Sequence, residues 1–196
     1  MMHPRLGMLT ALLIVASVCQ AQTDTGGTSA EIALSDETLQ LRYIGRGSTI
    51  GVDERSRFTG TFFLSEDRDI VLSSALLFPA NLDLGRLTLH FGPQLYAALL
   101  EEENNDVMTI TVGAEARFLL NRGMGLAIAG HAFYGPDILT FGSADSLTDL
   151  SARVEIGVAS QVIAFGGMRW FEFDLVGGTG KRTLQEELFV GFGYRF

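Results

Sequence analysis

Glu115 and Arg117 stand two residues apart, as do Arg153 and Glu155, and Arg169 follows in a later segment of the same kind. Side chains two apart share one face of a β-strand, so each acid and base would lie side by side on one surface. In a narrow, enclosed space such groups should pair with one another, because an unpaired buried charge is expensive. Pairing is the chemistry this set predicts. Catalysis would need a nucleophile, a base and an orienting group together. The nearest precedent is a His–Ser pair facing lipid, but His131 is followed two residues on by Phe133, and His90 by Gly92. No catalytic residue is therefore assigned. No histidine pair has zinc spacing, and no glycine-rich phosphate loop precedes a helix, so no metal or cofactor is expected. The acidic run Glu101–Asp106 could hold a divalent cation through its oxygens. A solvated acidic loop is the preferred reading of it.

The elements that would carry these residues alternate with period two. Along Val107–Leu119 one face reads Met108, Ile110, Val112, Ala114, Ala116 and Phe118, while the other holds Glu115 and Arg117. Along Asp149–Ser160 the apolar face is Leu150, Ala152, Val154, Ile156 and Val158, with Arg153 and Glu155 opposite. No segment has a 3.6-residue stripe, which makes the chain all-β. Ten strands are predicted: Glu31–Ser35, Thr38–Ile44, Arg57–Leu64, Ile70–Phe78, Arg86–Leu99, Val107–Leu119, Gly125–Tyr134, Asp149–Ser160, Ile163–Leu175 and Glu186–Phe196. The last carries Leu188, Val190, Phe192, Tyr194 and Phe196 on one face and stops on an aromatic carboxylate. That pattern fits an outer-membrane β-barrel, with Val190, Phe192, Tyr194 and Phe196 as the signal read by the barrel-assembly machinery. A lipid-facing Arg near the midplane would cost roughly 2–4 kcal/mol, so the charged faces must line the lumen. A soluble sandwich would show the same alternation, and periodicity alone does not separate the two.

The other end of the chain argues for the barrel. Arg5 precedes an apolar run from Met8 to Val18, and Cys19-Gln20-Ala21 offers small residues for cleavage after Ala21, which reads as a signal peptide. The expected organisation is a signal over 1–21, a polar lead-in over 22–29 and one barrel over 30–196. Cleavage removes the only cysteine and one of the 14 Lys+Arg but none of the 23 Asp+Glu, leaving 13 against 23, a net charge of −10. This argues against a nucleic-acid partner.

Eight or ten strands, with ten preferred, return both termini to one side of an antiparallel up-and-down transmembrane barrel. Long polar connections (65–69, 101–106, 135–148, 176–185) then fall on the outer side and short ones near 79–85, 121–125 and 161–162 on the periplasmic side. Residues 45–56 are long for a periplasmic turn, unless a strand runs on through Ser48 to Val52. Pro93 cannot donate a ladder bond, so a bulge is expected at Gly92-Pro93. Tyr43, Phe91, Tyr134, Trp170, Phe192, Tyr194 and Phe196 are candidates for interfacial girdles.

With these features in place, Ala132-Phe133-Tyr134-Gly135-Pro136-Asp137-Ile138-Leu139-Thr140-Phe141 resembles the YfaZ family of outer-membrane porins. So do Gly166-Gly167-Met168-Arg169-Trp170, the acidic Ser65-Glu66-Asp67-Arg68-Asp69 and the closing Phe192-Gly193-Tyr194-Arg195-Phe196. Met168 stands where Tyr is usual. The resemblance implies a modest outer-membrane barrel and brings no site residues with it. The expected function is a narrow channel for small solutes across the bacterial outer membrane. The alternative is a closed structural or surface-interacting barrel meeting lipopolysaccharide or envelope partners. A lipid-modifying enzyme ranks third.

Overall fold

Period-two alternation becomes strand wherever it occurs. A computed structural model describes residues 27–80, 85–101, 105–176 and 180–196. The expected signal and most of the lead-in lie outside these residues, as does half of the acidic run 101–106. The strands are β1 Ser29–Leu34, β2 Thr38–Arg46, β3 Arg57–Ser65, β4 Ile70–Pro79, β5 Leu87–Leu100, β6 Asn105–Asn121, β7 Leu126–Gly135, β8 Thr140–Gly142, β9 Ala144–Gly157, β10 Val162–Leu175 and β11 Lys181–Arg195. They form one antiparallel sheet in the order β5-β4-β3-β2-β1-β11-β10-β9-β7-β6-β8, and pairing of β5 with β6 closes it.

The wall has ten strands, because β8 continues β7. β6 pairs with β7 as far as Val112↔Tyr134 and takes up β8 at Thr109↔Thr140, antiparallel in both cases. Residues 135–148, expected as one open loop, are thus a four-residue excursion, 136–139, followed by wall. Pro136 has no N–H for the ladder and turns the chain out of it. Threonine hydroxyls bring it back: Thr109 Oγ1 donates to the Leu139 carbonyl at 3.2 Å and lies 2.7 Å from Thr140 Oγ1, which donates to the Pro136 carbonyl at 3.0 Å.

Two further expectations change. β2 stops at Arg46, and no strand runs through Ser48 to Val52. Residues Gly47–Ile50 form a 3-10 turn closed by Gly51 at φ +80°, a left-handed conformation that suits glycine. The turn satisfies its own backbone, with Gly47 N–H donating to Ser56 O at 2.7 Å and Val52 N–H to Gly47 O at 3.0 Å. At Gly92-Pro93 there is no bulge. The β4–β5 ladder lapses between Ala75↔Gln94 and Phe78↔Phe91 but resumes in the same register, while β5 stays paired with β6 throughout. The missing N–H is absorbed by two open rungs.

Both ends of the described chain, at Ser29 and Arg195, lie at one end of the barrel, together with the connections near 47–56, 122–125 and 158–161. We call this the terminus end. Outward positions are apolar and exposed all round, including Ile32, Leu41, Leu72, Leu95, Val112, Leu150, Val154, Val190 and Phe192. The outward charged residues of the strands, Asp106, Glu172, Asp174, Lys181 and Glu186, sit at the far rim. Aromatics gather in two bands, Tyr43, Phe78, Phe91, Phe118 and Tyr194 toward the terminus end and Tyr134, Phe141 and Trp170 toward the far end. This is the exterior of a membrane-spanning barrel.

Arginine at an outward, mid-wall position tests this exterior. Val112→Arg should cost roughly 2–4 kcal/mol in denaturant unfolding of protein refolded into vesicles. A water-facing Val112, 61 % exposed, would give a change within about 0.5 kcal/mol.

Candidate functional site

Inward faces divide the lumen into two layers. The terminus half holds ions and the far half holds rings. Closest to the terminus end, Arg153 on β9 reaches across to Glu31 on β1 with Nη1 at 2.8 Å and Nη2 at 3.0 Å, and its Nε donates to Glu155 at 3.0 Å. Arg117 Nε on β6 donates to the other oxygen of Glu155 at 2.7 Å. Arg42 on β2 pairs with Glu115 on β6. Arg153 also lies over the Phe165 ring, 4.4 Å from its centroid, so the cation is held by charge and by π-density.

Above this layer Asp149 is a hub. Arg169 grips it in a fork, Nε to Oδ1 and Nη2 to Oδ2, both at 2.8 Å. Tyr96 donates its hydroxyl to Oδ2 at 2.7 Å from β5, and His131 Nε2 lies 3.0 Å from Oδ1 from β7. The fork leaves Arg169 Nη1 for the Gln40 side-chain oxygen at 2.6 Å. Four strands therefore meet on one carboxylate, and Gln40 adds β2 through Arg169. Planar guanidinium–carboxylate geometry makes such an assembly rigid as well as neutral.

Higher still, Phe63, Val71, Tyr96, Ala98, Leu100, Val107, Ala144, Leu147, Phe171, Phe173 and Leu184 form one buried cluster. Phe171 on β10 meets Phe63 edge-on at 5.5 Å between centroids and Tyr96 of the opposite wall at 5.8 Å. Rings from facing walls are thus in contact within the lumen. Arg169 joins the two layers, 4.4 Å from the Phe171 centroid and 5.3 Å from that of Phe63. At the far mouth, buried Asp69 accepts from Arg182 on β11 at 2.8 Å and from the Glu101 N–H at 3.0 Å, tying two connections across the opening.

All five sequence-predicted lumen residues, Glu115, Arg117, Arg153, Glu155 and Arg169, point inward and carry charge partners. Three of those partners, Glu31, Arg42 and Asp149, were not singled out from sequence. Their signal was present: Gln40 and Arg42 alternate with Leu39, Leu41 and Tyr43, and Asp149 is two residues before Ser151 on the polar face. What sequence could not supply was register around the ring, which brings β1 to β9 and β2 to β6. Val190, Phe192, Tyr194 and Phe196 all point outward and are exposed. Among the described residues, no group of three or more His, Cys, Asp or Glu is placed to hold a metal.

A cavity of about 70 Å³ remains in the ionic half, lined by charged side chains together with Ala33, Ile44, Phe165 and Phe189. That is room for a few waters.

A closed antiparallel wall, apolar and aromatic outside and ionic within, defines a transmembrane up-and-down β-barrel of the porin type. Residues 5–196 match the family described as YfaZ precursor, and the chain belongs to the YfaZ family. No curated protein matches it in sequence. Two solved structures share its general form. A bacterial polysaccharide outer membrane secretin is 16% identical over 86% of this chain and 69% of its own, with a TM-score of 0.48. The KdgM porin in complex with disordered oligogalacturonate is 8% identical over 87% of this chain and 99% of its own, with a TM-score of 0.46.

Removing one partner from the ionic layer should cost more than removing the pair. Arg153→Ala leaves Glu31 and Glu155 without their shared guanidinium and should lower unfolding free energy by about 3–5 kcal/mol. Arg153→Met with Glu31→Leu should cost less than Arg153→Ala alone. Equal stability of Arg153→Ala and the parent in urea titrations would mean that the inward face is solvated.

Proposed function

We propose that this protein is a porin-type barrel of the bacterial outer membrane whose lumen is shut in its resting form, and that it works through its surface rather than as an open pore. The contact of Phe171 with both Phe63 and Tyr96 carries this reading. Small barrels have interiors that side chains can fill. Here apolar rings fill one half and ion pairs the other. The surface offered outward is acidic and held in place by the Asp69–Arg182 pair, which suits contact with envelope partners or cation-bridged lipopolysaccharide. No catalytic step is part of the proposal.

One observation favours a second reading, a narrow channel for small solutes: the cavity on the terminus side already has charged walls. Conduction would require Phe171 to leave the axis. Planar-bilayer recording separates the two. The parent protein should give no steady conductance steps, and Phe171→Ala combined with Tyr96→Ala should introduce them. Regular steps from the parent at low voltage would replace the closed reading with the channel.

The outward face of β11 supports delivery by the barrel-assembly machinery. Phe196→Ser should lower the amount of folded, heat-modifiable protein in the outer-membrane fraction. An unchanged folded yield would remove this residue from the assembly signal.

A further inference from the structure

β11 outruns its neighbour on one side. Its rungs to β1 end at Leu34↔Val190, whereas its ladder to β10 continues past Phe189 to Lys181, with one bulge at Leu184. The β1–β2 hairpin has turned back by then, through Ser35, Asp36 and Glu37. Beyond Val190 the side of β11 away from β10 carries no strand, and no backbone hydrogen bond reaches it from another described residue. The phase of this edge is fixed at the other end of the strand. Phe196 N–H donates to Thr28 O on the β1 side and Arg195 N–H to Gln161 O on the β10 side. Backbone groups alternate edges along an antiparallel strand, so even-numbered residues turn theirs toward β1. Glu186 and Leu188 keep that phase after β1 has ended, and their N–H and C=O groups face an empty lane. From Gln185 to Phe189 this lane is about 17 Å long at the rise of a strand. Proteins commonly blunt such an edge with lysine, proline or a covering element. Residues 185–189 contain neither lysine nor proline.

The borders of the lane are acidic. The Ser35 hydroxyl bonds Glu187 and brings the hairpin tip against β11. Glu66 N–H donates to Glu37 O at 2.7 Å, which sets the β3–β4 turn on that tip, and Arg182 holds the same turn through Asp67 at 3.1 Å and Asp69 at 2.8 Å. Asp36, Glu37 and Glu66 are exposed there, and Glu186 is exposed on the outward face of β11 itself. Among the bases of this region, Lys181 is paired with Glu172 at 2.7 Å and Arg182 with the two aspartates, while Arg68 shares the turn with Glu66 and Asp67. Negative charge therefore prevails along the lane. Leu188, outward and 74 % exposed, adds an apolar contact beside it.

We propose that the bare edge of β11 at Gln185–Phe189 is a docking lane for an extended, lysine- or arginine-bearing segment of another envelope protein. The segment adds to the wall as a short strand in line with β1. Main-chain bonds to Glu186 and Leu188 supply the pairing, as in other cases of strand addition. Asp36, Glu37 and Glu186 select the sign of its side chains. A second copy of this chain fits the lane poorly, because edge against edge would bring two acidic borders together. The inference names a partner class for the surface reading given above and rests on it.

Fluorescence anisotropy of dye-labelled peptides on the folded protein in detergent, at fixed ionic strength, tests this. The probes are a short peptide alternating lysine and valine, the same peptide N-methylated on every amide, and one alternating glutamate and valine. The lysine peptide should bind saturably and the glutamate peptide should not. The methylated peptide keeps the charge but has no ladder donors, and should bind about tenfold more weakly or worse. Asp36→Lys with Glu186→Lys should weaken binding of the lysine peptide by about tenfold or more. Heat modifiability on gels confirms that the variant is folded, and should it not fold, the methylated and glutamate probes on the parent still decide. No saturable binding of the lysine peptide, or equal affinity for its methylated form, overturns the proposal. So would parent dimers in sedimentation that the lysine peptide does not displace, which would give the edge to a second copy. Binding by a protein that also conducts keeps the lane and removes the closed lumen. Silence in both assays removes the lane and keeps the closed lumen.

Discussion

Every charge inside this barrel is answerable to the hydrocarbon outside it. A wall whose outer face must be apolar leaves the inner face as the place for polar residues, and a lumen this narrow leaves those residues little water. Arginine and carboxylate then have to find each other across the ring. Arg153 does so with Glu31 and Glu155, Arg42 with Glu115, and Arg169 with Asp149. The pairs fix which strands face which. Register and charge pairing are one constraint seen from two sides, since sliding a strand by one residue would turn its ions into lipid.

The apolar half of the lumen follows from the same logic with the opposite solution. Where ions are not needed to join the walls, rings do it: Phe171 spans to Phe63 and Tyr96, and Phe173 packs beside it at 5.8 Å. Tyr96 belongs to both halves. Its ring packs on Phe171 while its hydroxyl reaches Asp149, so the boundary between the layers is a single side chain with an apolar body and a polar tip.

Much of this was legible before any coordinates. Alternation placed nearly every strand, and the inward phase of Glu115, Arg117, Arg153, Glu155 and Arg169 could be read directly. The limits were physical ones. Strands β9 and β11 begin earlier than predicted, at Ala144 and Lys181, because their first residues are polar and acquire strand geometry only by pairing with the far end of β10. β8 is three residues long, too short for a periodic signal, and exists because Thr109 captures the returning chain. The aromatic closure was hidden for a different reason. Phe63, Phe171 and Tyr96 have the same residue types as the girdle, and only phase within each strand separates a ring in lipid from a ring on the axis. The polar cavity could not be read at all, since it depends on distances between strands remote in sequence.

β1 is the shortest full-height ribbon of the wall. Its six residues alone join β2 on one edge and β11 on the other. Closure of the cylinder thus depends on its scantiest seam, made between segments from opposite ends of the chain, a connection that forms slowly because so long a stretch must be gathered first. The Glu31 carboxylate on that ribbon is fastened to a strand far from it in sequence and across the ring. Once it engages, opening of the seam past its third rung must break an ionic latch shielded from water, so persistence of the closed wall is governed by escape rate as much as by equilibrium.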